Sequence, residues 1–70
     1  MDALIKARTK AKLTHAELAA RLGIDRISVW RYEAGTRRPA IKVAYALNEM
    51  FKIPMATLRP DIFDKNYQNK

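Results

Sequence analysis

Two helix starts and two helix stops follow each other within residues 14–35, and this constrains the fold more than any other feature of the sequence. Thr14 and Glu17 have the spacing of a capping box, in which each side chain satisfies the backbone amide of the other residue. Gly23 is then placed to end the helix in the left-handed conformation. The sequence therefore predicts a helix over residues 15–22.

A second start and stop follow at once. Asp25 is a favourable N-cap, and Gly35 is placed to end the helix that Asp25 begins. We expect this helix to run to about Ala34. Because only three residues, one of them a glycine, separate the two helices, the pair is held at a steep angle, which is the geometry of a helix-turn-helix.

Three further helices are predicted around this pair, and the chain is expected to be all-α with five helices. Their ranges are residues 2–11, about 40–51 and about 54–59, the last of which Pro60 should end. The helix over 40–51 is expected to bury Val43, Ala44, Leu47, Met50 and Phe51. One domain would then cover residues 1–60, and residues 61–70 would form a short tail that is either flexible or in contact with a second subunit.

Length and composition exclude several classes of protein. Seventy residues allow one small domain, and the absence of cysteine excludes a disulfide framework and a thiolate zinc site. We find no nucleophile–base pair and no glycine-rich phosphate loop, so we expect no catalysis, metal or cofactor. No apolar run approaches the roughly 18 residues of a membrane span, and the N-terminus lacks a signal-peptide pattern. These features predict a cytoplasmic protein with no membrane partner.

Positive charge is concentrated in the N-terminal part of the chain. The formal net charge is +7, and residues 1–42 hold ten basic and four acidic residues. Such a surface suits a polyanion. Charge alone does not separate DNA from RNA or from an acidic membrane, and basic residues can also serve solubility only.

The predicted third helix presents an unusual outer face. Its members span an arc of about 140° at 100° per residue, and they are Arg26, Ile27, Trp30 and Arg31. In a DNA major groove a guanidinium can bind guanine O6 and N7, and an aliphatic side chain can contact a thymine methyl group. We therefore predict base contacts for these four residues. For Trp30 the alternatives are packing over the following connector or a contact to the DNA backbone.

Residues on both sides of this helix are candidates for phosphate contacts, which position a protein without specifying sequence. Thr36, Arg37 and Arg38 follow the helix directly. Thr14 and His15 begin the preceding helix, whose N-terminal amides suit a phosphate oxygen. The alternative for His15 is a partly exposed residue with no special role, and the two arginines could be ordinary surface residues.

These residues resemble a known family. The match lies in Leu13-Thr14-His15-Ala16-Glu17-Leu18-Ala19, in Leu22-Gly23-Ile24, and in Val29 to Gly35 with Glu33. This pattern is similar to the Cro/cI-like (XRE-type) helix-turn-helix domains over about residues 3–59. The resemblance implies a five-helix, lambda-repressor-like DNA-binding fold whose second helix of the pair enters the major groove.

The resemblance also assigns roles to single positions. It implies that Arg8 pairs with Glu33, mainly as a structural pair, and that positions 26, 27 and 31 contact bases. The family's usual DNA-contacting glutamine is replaced by His15, and Ile27 departs from the family's polar habit and favours methyl contacts. Arg38 before Pro39 matches a basic site that contacts the DNA backbone.

Two functions follow as hypotheses. The leading one is a sequence-specific regulator of transcription that binds double-stranded DNA, most simply a phage or prophage Cro-type repressor in a bacterial host, at the nucleoid. It would act as a weak homodimer or as a dimer formed on the operator. The ending Leu58-Arg59-Pro60-Asp61-Ile62-Phe63 resembles the Cro-like YdaS group of prophage regulators and antitoxins. The alternative is therefore an antitoxin with a toxin partner, or a helical protein-interaction module.

Overall fold

The computed structural model of the chain describes residues 1–63, which form six α-helices and no strand. The helices are α1 (Asp2–Lys10), α2 (His15–Leu22), α3 (Arg26–Ala34), α4 (Ile41–Phe51), α5 (Met55–Leu58) and α6 (Pro60–Phe63). The predicted all-α, helix-turn-helix fold class is confirmed. The chain divides into two compact units, an N-terminal unit of residues 1–38 and a C-terminal unit that begins at Pro39.

Side-chain caps start α2 and α3 where the sequence predicts them. The backbone N–H of Glu17 donates to Thr14 Oγ1 at 3.0 Å, and that of Thr14 donates to Glu17 Oε1 at 2.8 Å, which completes the capping box. The backbone N–H of Ser28 donates to Asp25 Oδ1 at 2.8 Å. Each cap satisfies amides that the first turn of a helix leaves without an intrahelical partner.

The ends of α1, α2 and α3 share one backbone arrangement. After α2, Gly23 is left-handed (φ 71°), its N–H bonds to the carbonyl of Ala20, and the N–H of Ile24 bonds to that of Ala19. This is a Schellman motif. Gly35 (φ 81°) ends α3 in the same way, whereas after α1 the left-handed position is held by Lys12 (φ 60°).

In the N-terminal unit α3 packs against both α2 and α1. The buried hydrophobic side chains there are Leu4, Leu18, Ala19, Val29 and Tyr32. They come from all three helices, so α3 has one face fixed in this core. The opposite face of α3 is thereby held outward in a defined orientation.

In the C-terminal unit α4 buries Val43, Ala44 and Leu47, as predicted. The prediction that Met50 is buried is wrong, because its side chain is 36% exposed, and Phe51 is only partly buried. The chain leaves α4 at Lys52 in a left-handed turn, and Ile53 is buried directly after it. Asn48 Nδ2 supports this turn by donating to the carbonyl oxygen of Ile53 at 2.8 Å.

The number of helices differs from the prediction of five. Pro60 follows the end of α5, but it also begins α6, so residues 61–63 of the predicted tail are helical. Proline suits the first position of a helix because its fixed φ is helical and its missing N–H is not needed there. Arg59 fixes this corner by donating to Asp61 Oδ2 at 2.8 Å and to the carbonyl oxygen of Pro39 at 3.2 Å. Residues 64–70 of the predicted tail lie outside the described residues.

Candidate nucleic-acid interface

The outer face of α3 carries the four side chains predicted to contact bases. Arg26, Ile27, Trp30 and Arg31 are all exposed, and Ile27 and Trp30 expose 52% and 59% of their surface. Val29 and Tyr32 point to the core instead. The packing of the N-terminal unit does not explain why Ile27 and Trp30, two apolar side chains, are exposed between two arginines.

The start of α2 lies beside this face and forms a cleft with it. The cleft has a volume of about 420 Å³ and is open to solvent. Its lining comes from Thr14, His15, Ala16, Arg26, Ile27 and Trp30. The structure thus brings two of the predicted phosphate-contacting residues next to three of the predicted base-contacting residues.

Glu33 ties this face to α1 and α2. Its carboxylate accepts from Arg8 Nε at 2.5 Å and from Arg8 Nη2 at 3.3 Å, so the pair implied by the resemblance is in contact. His15 Nε2 lies 3.0 Å from Glu33 Oε1. Arg8 Nη1 also donates to the carbonyl oxygen of Leu13 at 2.9 Å. The N-terminal ammonium of Met1 donates to the backbone carbonyl of Glu33. One carboxylate therefore fixes the position of the start of α2 relative to α3.

The electrostatics of Glu33 follow from these contacts. Burial by itself raises the pKa of this carboxyl, but the hydrogen bonds from Arg8 and His15, and the charges of the same side chains, outweigh it. The net effect is a pKa below the usual 4.5, so Glu33 is ionised at neutral pH. An ionised Glu33 orients His15 by accepting from its Nε2–H.

The basic connector follows α3 directly. Thr36 Oγ1 donates to the carbonyl oxygen of Arg31 at 3.4 Å, and Thr36, Arg37 and Arg38 are exposed. Hydrogen bonds from Ser28, and then the nearby charges of Arg31 and Arg37, hold the pKa of the Asp25 carboxyl below its usual value. The acidic cap of α3 is thus close to two cations, Arg31 and Arg37.

Comparison with known proteins identifies the arrangement. A family model described as helix-turn-helix matches residues 4–58 of the chain. The chain belongs to this helix-turn-helix family. The family is of the XRE type, and membership supports a DNA-binding regulator of transcription. No curated protein and no solved structure gives a significant match to the chain.

Within residues 1–63, no group of three or more His, Cys, Asp and Glu side chains could hold a metal ion. Over the same residues, no helix has the length and apolar character needed to cross a membrane.

The sequence did not reveal two features of this helix-turn-helix surface. The first is the contact between His15 and Glu33, which are 18 positions apart and meet only when α2 packs against α3. The second is Ala16, which lines the cleft although its small side chain gives no chemical signal. Position 16 could have been found only from its place in the first turn of a helix that faces α3.

Proposed function

We propose that this protein is a Cro-type repressor that occupies an operator with α3 in the DNA major groove. The observation that carries the proposal is the outer face of α3, where Arg26 and Arg31 flank exposed apolar side chains while the opposite face is buried. Because the opposite face of α3 is fixed in the core, the same side chains of α3 always face the DNA. Occupying an operator blocks access of RNA polymerase to the promoter.

Each contact has a proposed role. Arg26 and Arg31 bind guanine O6 and N7, since a guanidinium matches both acceptors at once. Ile27 and Trp30, which lie between the two arginines on the outer face of α3, also contact base edges. The phosphate contacts come from residues at the start of α2 and in the connector, namely Thr14, His15, Thr36, Arg37 and Arg38. If six to eight phosphates are neutralised, log K falls with log salt at a slope of about −5 to −7.

We also propose that two copies of the chain bind one operator. The C-terminal unit exposes Ile41 and Tyr45 one turn apart on α4, and the Tyr45 ring meets that of Phe63 edge-on at a centroid distance of 6.1 Å. These three side chains, here called the α4–α6 patch, are the proposed contact between subunits. Two subunits would then bind half-sites about 34 Å apart.

The experiment that tests the repressor proposal is selection of bound sequences from a random pool of double-stranded DNA at about 0.1–0.15 M salt. We expect an enriched inverted repeat whose half-site centres lie about 10–11 base pairs apart. Enrichment of a single half-site supports the regulator and contradicts the dimer. A pool with no enriched sequence contradicts both.

Two arginine variants separate base contacts from phosphate contacts. Arg31→Ala is expected to cost about 1–3 kcal/mol of binding free energy and to relax the preference at one operator position, because a bidentate base contact is lost. Arg37→Ala is expected to weaken all sequences alike and to reduce the salt slope by about one. Titration of both variants against the operator and its single-base variants, at several salt concentrations, measures the difference. Unchanged discrimination in Arg31→Ala would contradict the proposed docking of α3.

A second candidate function is an antitoxin that binds a toxin, or a helical protein-interaction module. It is favoured by the exposure of Ile27 and Trp30, since exposed aromatic anchors are typical of protein interfaces. This candidate would be supported over the repressor if the chain formed a complex with a protein partner, if the affinity of that complex did not depend on salt, and if the chain had no affinity for DNA.

A further inference from the structure

His15 is the single histidine of the chain, and it lies where the candidate interface meets the core of the N-terminal unit. Its Nε2 atom is 3.0 Å from Oε1 of Glu33, a side chain that is only 8% exposed. The side chain of His15 itself is 36% exposed and lines the cleft between the start of α2 and α3. A buried carboxylate therefore fixes one nitrogen of the imidazole, while part of the ring stays accessible from the cleft.

The charge of an imidazole determines what it can offer to an anion. Neutral imidazole carries one N–H group, and imidazolium carries two. A ring that donates to Glu33 through Nε2 can therefore donate to a phosphate oxygen through Nδ1 only when it is protonated. Within residues 1–63, Glu33 alone bonds to the ring of His15, so Nδ1 has no competing partner there. Histidine is also the side chain whose charge changes between about pH 5 and 8.

Charged groups from α1, α2 and α3 surround the contact between His15 and Glu33. Besides Glu33 itself they are Arg8, which bonds to the same carboxylate, Arg26, which lines the same cleft, Glu17, which accepts from the backbone of Thr14, and the Met1 ammonium, which donates to the backbone of Glu33. All of these groups are present in the free chain and in a DNA complex alike. A DNA phosphate is an additional anion that only the complex contains, so DNA binding favours the protonated ring.

We propose that His15 is a proton-linked contact to the operator: its protonated ring lies between Glu33 and one DNA phosphate, and each bound chain takes up a proton from the solvent. The inference rests on the proposed operator binding and adds a dependence on pH to it. Because the complex holds more protons than the free chain, affinity falls as the pH rises through the range in which histidine titrates. The arginine contacts keep their charge in this range, so binding weakens without being lost.

The test measures Kd of the full chain for the selected operator between about pH 5.5 and 8, at one ionic strength. We expect Kd to rise about tenfold over this range for each bound chain, which is the size of one hydrogen bond to a charged group. Calorimetric titration in two buffers with different ionisation enthalpies counts the protons directly. It should show proton uptake by the wild type where the pH profile is steepest, and this count does not depend on any variant.

His15→Gln assigns the proton to its residue. Glutamine donates hydrogen bonds to a carboxylate or a phosphate and does not titrate, so we expect a Kd that is independent of pH and no proton uptake. Arg37→Ala is the matched control, because it removes a proposed phosphate contact that keeps its charge over the whole range. It is expected to raise Kd equally at every pH and to keep the proton uptake of the wild type. Circular dichroism verifies that each variant is folded at each pH.

The failures of the two proposals are distinguishable. Sequence-selective binding with a constant Kd, or with the same pH dependence in the wild type and in His15→Gln, overturns the proton-linked contact and leaves the repressor intact. A Kd that falls as the pH rises also overturns the contact. DNA binding without sequence preference overturns the repressor. Proton uptake on a random duplex that His15→Gln abolishes would then still support the contact to phosphate, and its absence would overturn that contact as well.

Discussion

Glu33 is the side chain on which three segments of the N-terminal unit meet. It is 8% exposed, and its carboxylate accepts hydrogen bonds from Arg8 on α1 and from His15 on α2. Because this ion pair is largely buried, removing one partner leaves the other side chain without its hydrogen bonds, which lowers the stability of the fold. Glu33 therefore sets where the first turn of α2 lies relative to the outer face of α3.

The pKa of Glu33 predicts how stability depends on pH. Since the pKa of Glu33 in the folded state lies below its usual 4.5, the ionised form stabilises the fold. This contribution is fully present above pH 4.5 and is lost as the pH falls through the folded-state pKa. Glu33→Gln is expected to lower the free energy of unfolding by about 1.5–3 kcal/mol at pH 7.

Urea denaturation of the wild type and of Glu33→Gln, from neutral to acidic pH, measures this effect. The difference between the two proteins should shrink as the pH falls, because a protonated glutamic acid and a glutamine are both neutral. Glu17→Gln is a suitable control, because Glu17 is an exposed carboxylate whose capping bond a glutamine side chain can also accept. A difference that stays constant down to the lowest pH would contradict the role assigned to the Glu33 charge.

At the scale of elements, the ends of the helices are better specified by the sequence than their packed faces. The capping box at Thr14 and the left-handed glycines 23 and 35 lie where the sequence predicts them, because caps and left-handed positions depend on neighbouring residues only. The burial of Met50 was mispredicted, since periodicity does not show where the chain turns away from the core. The α6 helix was missed because a proline that follows one helix can also begin the next.

Lys12 gives a prediction about a helix end. It takes the left-handed position after α1 that glycines take after α2 and α3, and a side chain there is strained. Lys12→Gly is therefore expected to raise the free energy of unfolding by about 0.5–1 kcal/mol. Lys6→Gly removes the same charge from the exposed side of α1 and should instead lower it by about 1 kcal/mol. Urea denaturation of the two variants at neutral pH gives both values, and a loss of stability in Lys12→Gly would contradict the strain argument.

At the scale of the whole molecule, the proposed DNA contacts and the proposed contact between subunits lie in different units of the chain. The proposed DNA contacts all lie within residues 14–38, in the N-terminal unit, whereas the α4–α6 patch belongs to the C-terminal unit. Self-association and DNA binding can therefore be altered separately. A dimer would bring two copies of α3 to one operator and so raise affinity without a new base contact.

The α4–α6 patch yields the prediction at this scale. Tyr45→Asp places a charge between Ile41 and Phe63, and an unpaired charge in an apolar contact is costly. We expect this variant to sediment as a monomer at concentrations where the wild type self-associates, and to lose affinity for a two-half-site operator but not for one half-site. Ala56→Asp adds the same charge at an exposed position on α5 outside the patch and should behave as the wild type. Equal self-association of the two variants would contradict the proposed contact.

The sequence by itself determined the local features of this protein: the capped starts of α2 and α3, the glycine stops, the short turn between them and the outward position of Arg26, Ile27, Trp30 and Arg31. These follow from hydrogen bonds and helical spacing over a few residues, which neighbouring amino acids specify. The tertiary structure alone decided that His15 bonds to Glu33, that Ala16 closes a cleft with Ile27 and Trp30, and that Ile53 rather than Met50 is buried. Such contacts depend on how one helix packs against another, and no local pattern encodes that relation.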